Sequence, residues 1–296
     1  MSRLEKALEK ASQLKNDKGG VEEKEKGILK APCFDQFSIG EPLKVENPYL
    51  VTVTAPDSPV AEEYRKLKSL VVNLTKSDKF KNTIMITSTT KSEGKSITAI
   101  NLAVTMAQDY DNTVLLVDAD LRQPTIHKYL NINPEIGLSD CLRDGAKIGD
   151  ALIKTGIGKL MVLPSGSTIS NPVELLSSNM MKDLIIELKN RYEDRYVIID
   201  TPPILPFAEA HSIGQVVDGV IMVIREGVAS PGHIKDALRL LKDINILGIV
   251  YNDAEVNRFD GYYYRYYKSY YSHNGDSNDG VNKKKSWLPF LRRKKQ

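Results

Sequence analysis

From Asn82 onward the chain alternates short apolar runs with longer stretches whose apolar residues recur at helical spacing. The runs at 83–87, 113–117, 159–163, 196–199, 219–224 and 246–251 are dense in Val, Ile and Leu instead of alternating with polar residues, which predicts strands buried on both faces. Between them, 96–108, 179–192 and 231–243 have lengths and apolar spacings suited to crossover helices, and 59–74 carries a helical pattern ahead of the first strand. Strands alternating with helices predict a mostly parallel sheet flanked by helices, an α/β fold. Near the start, Leu4, Ala7, Leu8, Ala11 and Leu14 fall on one helical face before Lys18-Gly19-Gly20 ends the pattern. The expected organisation is an amphipathic helix at 1–18, a linker at 19–54 that drapes over the core, an α/β domain at 55–253 and a tail at 254–296.

Composition narrows this picture. With 41% hydrophobic and 27% charged residues, the bulk of the 296 residues is neither a disordered polyelectrolyte nor a polybasic nucleic-acid coat. The net charge of +3 hides an asymmetry: Lys283 to Gln296 hold seven cations and no acid, so the other 282 residues carry −4. Cys33 and Cys141 are far apart and form no C-x-x-C, which argues against a disulfide framework, a zinc ribbon or an iron–sulfur site and fits a reducing cytoplasm. No run reaches the length of a membrane span and the N-terminus lacks a signal-peptide core, so the expectation is a cytoplasmic chain that neither crosses a membrane nor is secreted.

The candidate chemistry begins after the first strand, where Ser88-Thr-Thr-Lys-Ser-Glu-Gly-Lys-Ser96 leads directly into a helix. Gly94 lets the backbone approach a phosphate, the Lys95 ammonium suits the β and γ phosphates, the Ser96 hydroxyl suits Mg²⁺, and the helix N-terminus favours anions. Candidate nucleotide contacts are Thr90, Lys91, Ser92, Glu93, Gly94, Lys95, Ser96 and Ile97. Thr89 stands where the P-loop pattern has its first glycine, and a Gly-Lys-Ser turn by itself can be structural. Two acidic strand ends supply the needed support. Asp118 and Asp120 close the second strand on one side, because strand side chains alternate with period two. Asp200 closes a later strand in Tyr196-Val-Ile-Ile-Asp-Thr-Pro-Pro203 and is placed to hold Mg²⁺ through water. A lone strand-end aspartate is usually a turn residue or a helix cap. Three such motifs in this order point to one ATP and Mg²⁺ site at the C-terminal sheet edge, with Ser96, Asp118 and Asp200 as metal candidates.

At these residues the sequence resembles the deviant P-loop ATPases typified by the Min and Par partitioning proteins, and within them the bacterial tyrosine kinases of exopolysaccharide synthesis. The resemblance covers roughly 55–271 and rests on Asp118, Asp120 and Arg122 as D-x-D-x-R, on Asn171-Pro-Val-Glu-Leu-Leu-Ser177, on Asp200-Thr-Pro-Pro203 and on a tyrosine-rich end. The opening Met1 to Lys10 is similar to stand-alone kinases paired with exosortase-type polysaccharide loci. The resemblance implies an ATP- and Mg²⁺-dependent protein-tyrosine autokinase with Lys95, Asp118 and Asp120 in the reaction, an aspartate of the D-x-D helping to deprotonate the acceptor. It also implies a homo-oligomer, a separate membrane polysaccharide co-polymerase as activator and a tyrosine phosphatase as counterpart. Departures from the family pattern are Lys91-Ser92 where many members have Pro-Gly, and Lys68 as the last member of the oligomer motif Glu62, Arg65, Lys68, where lysine keeps the charge but loses the bidentate fork. Lys91 at the signature-lysine position of the partitioning ATPases keeps that reading open beside the kinase, and a non-catalytic nucleotide-dependent scaffold is the third.

Seven of the fourteen tyrosines, Tyr262, Tyr263, Tyr264, Tyr266, Tyr267, Tyr270 and Tyr271, follow the last predicted strand. Adjacent tyrosines point in all directions and seven buried hydroxyls would each need a partner, so the segment reads as exposed phosphoacceptors. A tail for nucleic-acid stacking is the bland alternative, and the acidic remainder of the chain argues against nucleic acid. The terminal segment interleaves its cations with Trp287, Leu288, Phe290 and Leu291, a composition suited either to an anionic membrane surface, which would make the protein peripheral at the inner face of the cell membrane, or to a solvated basic tail. His127, His211, His233 and His273 show no ligand spacing.

Overall fold

A computed structural model describes residues 43–76, 80–192 and 194–254. The expected N-terminal amphipathic helix, most of the linker, the tyrosine cluster, the basic tail and Cys33 lie outside the described residues.

Seven strands, β1 (Thr83–Ser88), β2 (Thr113–Asp118), β3 (Ile153–Lys154), β4 (Leu160–Leu163), β5 (Arg195–Asp200), β6 (Gly219–Arg225) and β7 (Ile246–Asn252), form one sheet in the order β3-β4-β2-β5-β1-β6-β7. All neighbours are parallel except β3, which runs antiparallel to β4. Every residue of β1, β2, β4 and β5 is buried, as the unbroken aliphatic runs predict for strands covered on both faces. The helices, numbered along the chain, are α1 (Val51–Thr54), α2 (Pro59–Thr75), α3 (Lys95–Ala107), α4 (Ile126–Tyr129), α5 (Leu138–Asp144), α6 (Ile148–Ala151), α7 (Pro172–Leu176), α8 (Asn179–Asn190), α9 (Glu209–Gly214) and α10 (Pro231–Leu240). Their packing makes two apolar layers. One gathers Ile84, Ile86, Val114 and Leu116 with Ile100, Ala103 and Val104 of α3, and the other gathers Met85, Leu115, Val117 and Ile199 with Met181, Leu184 and Leu188 of α8.

Helix starts follow local chemistry. Ser58, Ser178 and Ser230 accept the amides of Ala61, Met181 and His233 at 3.2, 3.2 and 3.1 Å, and Pro59 and Pro231 occupy first-turn positions whose N–H would have no helical partner. Strand and long-helix limits fall close to the sequence expectation, although α8 and α10 stop earlier than 192 and 243. The short helices α4 to α7 and α9 and the two-residue β3 were not anticipated, because four to seven residues are too few to display a period and are held by tertiary contacts. Residues 51–54, expected as linker, form α1. Leu50 is fully buried, and Thr52 gives its backbone N–H and Oγ1 to Asn101 Oδ1 at 3.1 and 2.9 Å, which ties this segment to α3.

The topology matters for what the sheet presents. The chain leaves β1, passes over the β5 position to build β2, and later inserts β5 between them, so Asp118 and Asp200 are register partners and Ile86 of β1 also lies opposite Asp200. The loop after β1 and both acidic strand ends therefore meet at one C-terminal edge, where open α/β sheets bind ligands.

Candidate active site

The loop from β1 to α3 is shaped by Glu93. This carboxylate has no exposed surface and points back into the loop, accepting the Thr89 hydroxyl at 2.7 Å and the Thr90 amide at 2.8 Å. A buried threonine thus occupies the usual first-glycine position, held by an acid four residues on. Gly94 has φ 92°, in the left-handed region that favours glycine, and a Cβ there would lie 2.2 Å from Nδ2 of Asn252. Asn252, the last residue of β7, donates to the Glu93 carbonyl at 2.8 Å, so the loop is braced from within and from a distant strand. Ser92 also has a positive φ of 65°, and its carbonyl accepts from Arg225 at 3.4 Å.

Beyond the loop, Lys95 opens α3 and turns its ammonium toward carboxylates. Its Nζ lies 2.7 Å from Asp120 Oδ2, 3.5 Å from Asp200 Oδ1 and 3.0 Å from Ser96 Oγ. Burial alone would depress the lysine, but the charges of Asp200 and Asp120 outweigh it and hold the ammonium above its ordinary range. Asp118 is fully buried, and burial together with the Asp200 charge raises it well above the usual carboxylate range. Asp200 is also raised, chiefly by burial, with Lys95 opposing. Asp118 is fixed by the backbone amides of Asp120 and Ile126, each at 3.3 Å, and Asp120 Oδ1 takes the Gln123 amide at 3.0 Å. The predicted residues Lys95, Ser96, Asp118, Asp120 and Asp200 are therefore one cluster.

In front of it lies a cavity of about 480 Å³, within the range of about 300–1,000 Å³ typical of small-molecule sites. Lys91, Ser92, Gly94, Lys95, Ser96, Ile97 and Asp120 line it, whereas Thr90 and Glu93 do not and serve the loop's internal bracing. Sequence reasoning missed the rest of the lining, to which Tyr49, Gln123, Thr125, Tyr129, Arg225, Asn252 and Asp253 contribute. Asn252 ends an apolar run just as the aspartates do, so the same strand-end rule would have found it. Tyr49 and Tyr129 gave no local signal. For Mg²⁺, the donors fit a hard cation: Ser96 Oγ, and Asp200, whose Oδ2 is buried without a hydrogen-bond partner among the described residues. Both carboxylate oxygens of Asp118 already accept backbone amides, which makes it the weaker candidate ligand.

The chain is similar to known proteins in sequence and in fold. A family model described as an AAA domain matches residues 81–246. The tyrosine-protein kinase YwqD of Bacillus subtilis (strain 168) is 37% identical over 218 residues, which cover 73% of this chain and 90% of that protein. The chain belongs to the bacterial tyrosine-kinase family. Among solved structures, the chimerical protein CapA2B2 superposes with a TM-score of 0.65 at 32% identity, covering 70% of this chain and 90% of that one. The kinase domain of the Escherichia coli tyrosine kinase ETK gives 0.64 at 28% identity, covering 70% and 82%. The bacterial tyrosine-kinase fold expected from the motifs is thus the fold observed.

Elsewhere in this kinase, the predicted oligomer triad lies on α2. Arg65 pairs with Glu62 and donates to the Pro56 carbonyl, while Lys68 pairs with Asp109 at 3.5 Å, so within one chain all three have intramolecular partners. Among the described residues no helix is long and apolar enough to cross a membrane.

Proposed function

We propose that this tyrosine-protein kinase transfers the γ-phosphoryl group of ATP to tyrosines in the C-terminal cluster of a neighbouring copy, and that this reaction regulates exopolysaccharide synthesis, export and chain length. The observation that carries the reading is the P-loop lysine seated between Asp120 and Asp200 at a cavity of nucleotide size, in a chain with half its tyrosines in one segment. Ten residues separate Asn252 from Tyr262, a reach of at most about 30 Å.

The geometry supports one assignment of roles. The amides at the start of α3 and the Lys95 ammonium receive the β and γ phosphates, and Ser96 with Asp200 would hold Mg²⁺, which neutralises phosphate charge when bound. Phenol titrates near 10, so the acceptor needs a base at neutral pH. Asp120 lines the cavity and is the base; Asp118, buried and raised well above the carboxylate range, is held behind it as a structural partner. The tyrosine oxygen bonds to the γ phosphorus, the bond from that phosphorus to the β–γ bridging oxygen breaks, the proton passes to Asp120 and ADP leaves.

Each phosphate adds about −1.5 to −2 charges, so accumulated phosphates oppose the close approach that the first transfer required. A membrane polysaccharide co-polymerase as activator, a tyrosine phosphatase as counterpart and attachment of 283–296 to anionic lipid at the inner membrane face complete the proposal. Their support is the motif resemblance and the seven cations of the terminal segment. Incubation with γ-labelled Mg-ATP tests the core of it: label is expected on Tyr262 to Tyr271, and label released only as phosphate, or modification confined to other residues, refutes it.

A further inference from the structure

Beside the carboxylate cluster two cations share one aromatic ring. Arg122 Cζ lies 4.4 Å from the centroid of Phe207, and Lys91 Nζ lies 5.7 Å from the same centroid. Arg122 is also held by Glu209, a carboxylate with no exposed surface that accepts from Nε. Oε2 of Glu209 is buried without a hydrogen-bond partner among the described residues, so the guanidinium is attached at one point. Neither Nη group of Arg122 donates a hydrogen bond, and Lys91 makes no ion pair, among the described residues. The buried acid thus serves Arg122 alone, leaving a second cation and unspent N–H donors beside the cavity that Lys91 lines. An arginine fork with a free edge, a second ammonium and an aromatic platform are complementary to a phosphate dianion carried on an aryl ring.

We propose that Arg122, Lys91 and Phe207 form a subsite for phosphotyrosine, the product of the reaction next door, with Glu209 as the positioning residue for Arg122. This rests on the kinase reading above. Arg122 follows Asp120 by two residues, a span of at most about 7 Å, and the tyrosines at 262 and 264 are separated by the same interval. A tail phosphorylated at one tyrosine is thereby held with its neighbour near Asp120. The first phosphate speeds the second, and clustered tyrosines are modified in runs.

The test uses full-length, phosphatase-treated protein, Mg-ATP and synthetic peptides of residues 258–272, either unmodified or phosphorylated at Tyr264. The primed peptide is expected to have about tenfold higher kcat/KM, expressed in KM, and Arg122→Met and Phe207→Leu should bring the ratio of the two peptides to about one. Equal kcat/KM for both peptides on the unaltered protein overturns the subsite while leaving the kinase reading intact; no transfer to either peptide counts against the kinase reading instead. Fluorescence polarisation of the labelled phosphopeptide keeps the subsite testable if a variant fails to fold. Binding to the unaltered protein is expected to persist under saturating non-hydrolysable ATP analogue, and displacement by the analogue assigns these cations to the nucleotide and overturns the proposal.

Discussion

Replacing Lys95 with methionine removes the ammonium that faces Asp118, Asp120 and Asp200 while roughly preserving side-chain volume. The Lys95–Asp120 pair is 2.7 Å long, with side-chain exposures of 12% and 5%, and removing one partner of a buried pair costs about 3–5 kcal/mol. For a folded region of this size that is a loss of roughly 6–20 °C in Tm, with autophosphorylation abolished. The pH dependence separates this mechanism from mere lost packing. Asp118 and Asp200 are already raised by burial, and without the lysine they rise further. A carboxyl group whose folded pKa exceeds its unfolded value contributes stability that is complete below the unfolded pKa and is lost as pH rises through the folded one. The deficit of Lys95→Met relative to the unaltered protein should therefore grow from pH 5 to pH 8. Urea denaturation followed by circular dichroism at several pH values in that interval measures it. A deficit constant across the interval, or a variant as stable as the parent, would refute the electrostatic account of the cluster.

Three further outcomes follow from the same geometry. Gly94→Ala places a Cβ at φ 92° and 2.2 Å from Asn252 Nδ2, so calorimetry should show nucleotide affinity falling at least about tenfold with the circular dichroism spectrum retained; an unchanged Kd contradicts the tight approach. Glu93→Ala leaves the Thr89 hydroxyl and Thr90 amide without their acceptor, a cost of about 2–4 kcal/mol by denaturation, and Glu93→Gln should recover part of it because one acceptor oxygen remains. At the far end of β1, Asp218 accepts the amides of Asn82 and Thr83 and pairs with Lys189; burial would raise it, but these partners hold it below the usual range. A depressed carboxylate contributes stability above its unfolded pKa and loses it as pH falls through the folded one, so the advantage over Asp218→Asn, about 1–3 kcal/mol at pH 7, should begin to shrink in denaturation curves as pH falls past about 3.9 and vanish only below the depressed folded value.

Much of this protein was legible in its residues, because the signals involved are local. Unbroken Val/Ile/Leu runs mark strands covered on both faces, apolar residues at helical spacing mark the helices that begin at Pro59 and Pro231, and the Gly-Lys-Ser turn and the aspartates at strand ends mark one sheet edge. What the folded chain alone decided is non-local. Nothing in the β5 segment announces that it fills the slot between β1 and β2, yet that insertion sets Asp118 opposite Asp200 and brings Lys95 between Asp200 and Asp120. Glu93 reads from the loop pattern as a nucleotide contact and Glu209 carries no local signal, but both are fully buried, because Thr89 and Thr90 supply donors to one and Arg122 to the other. The cost of burying a charge depends on what a distant element brings to it, and a one-dimensional pattern carries no record of that partner until strand pairing has chosen it.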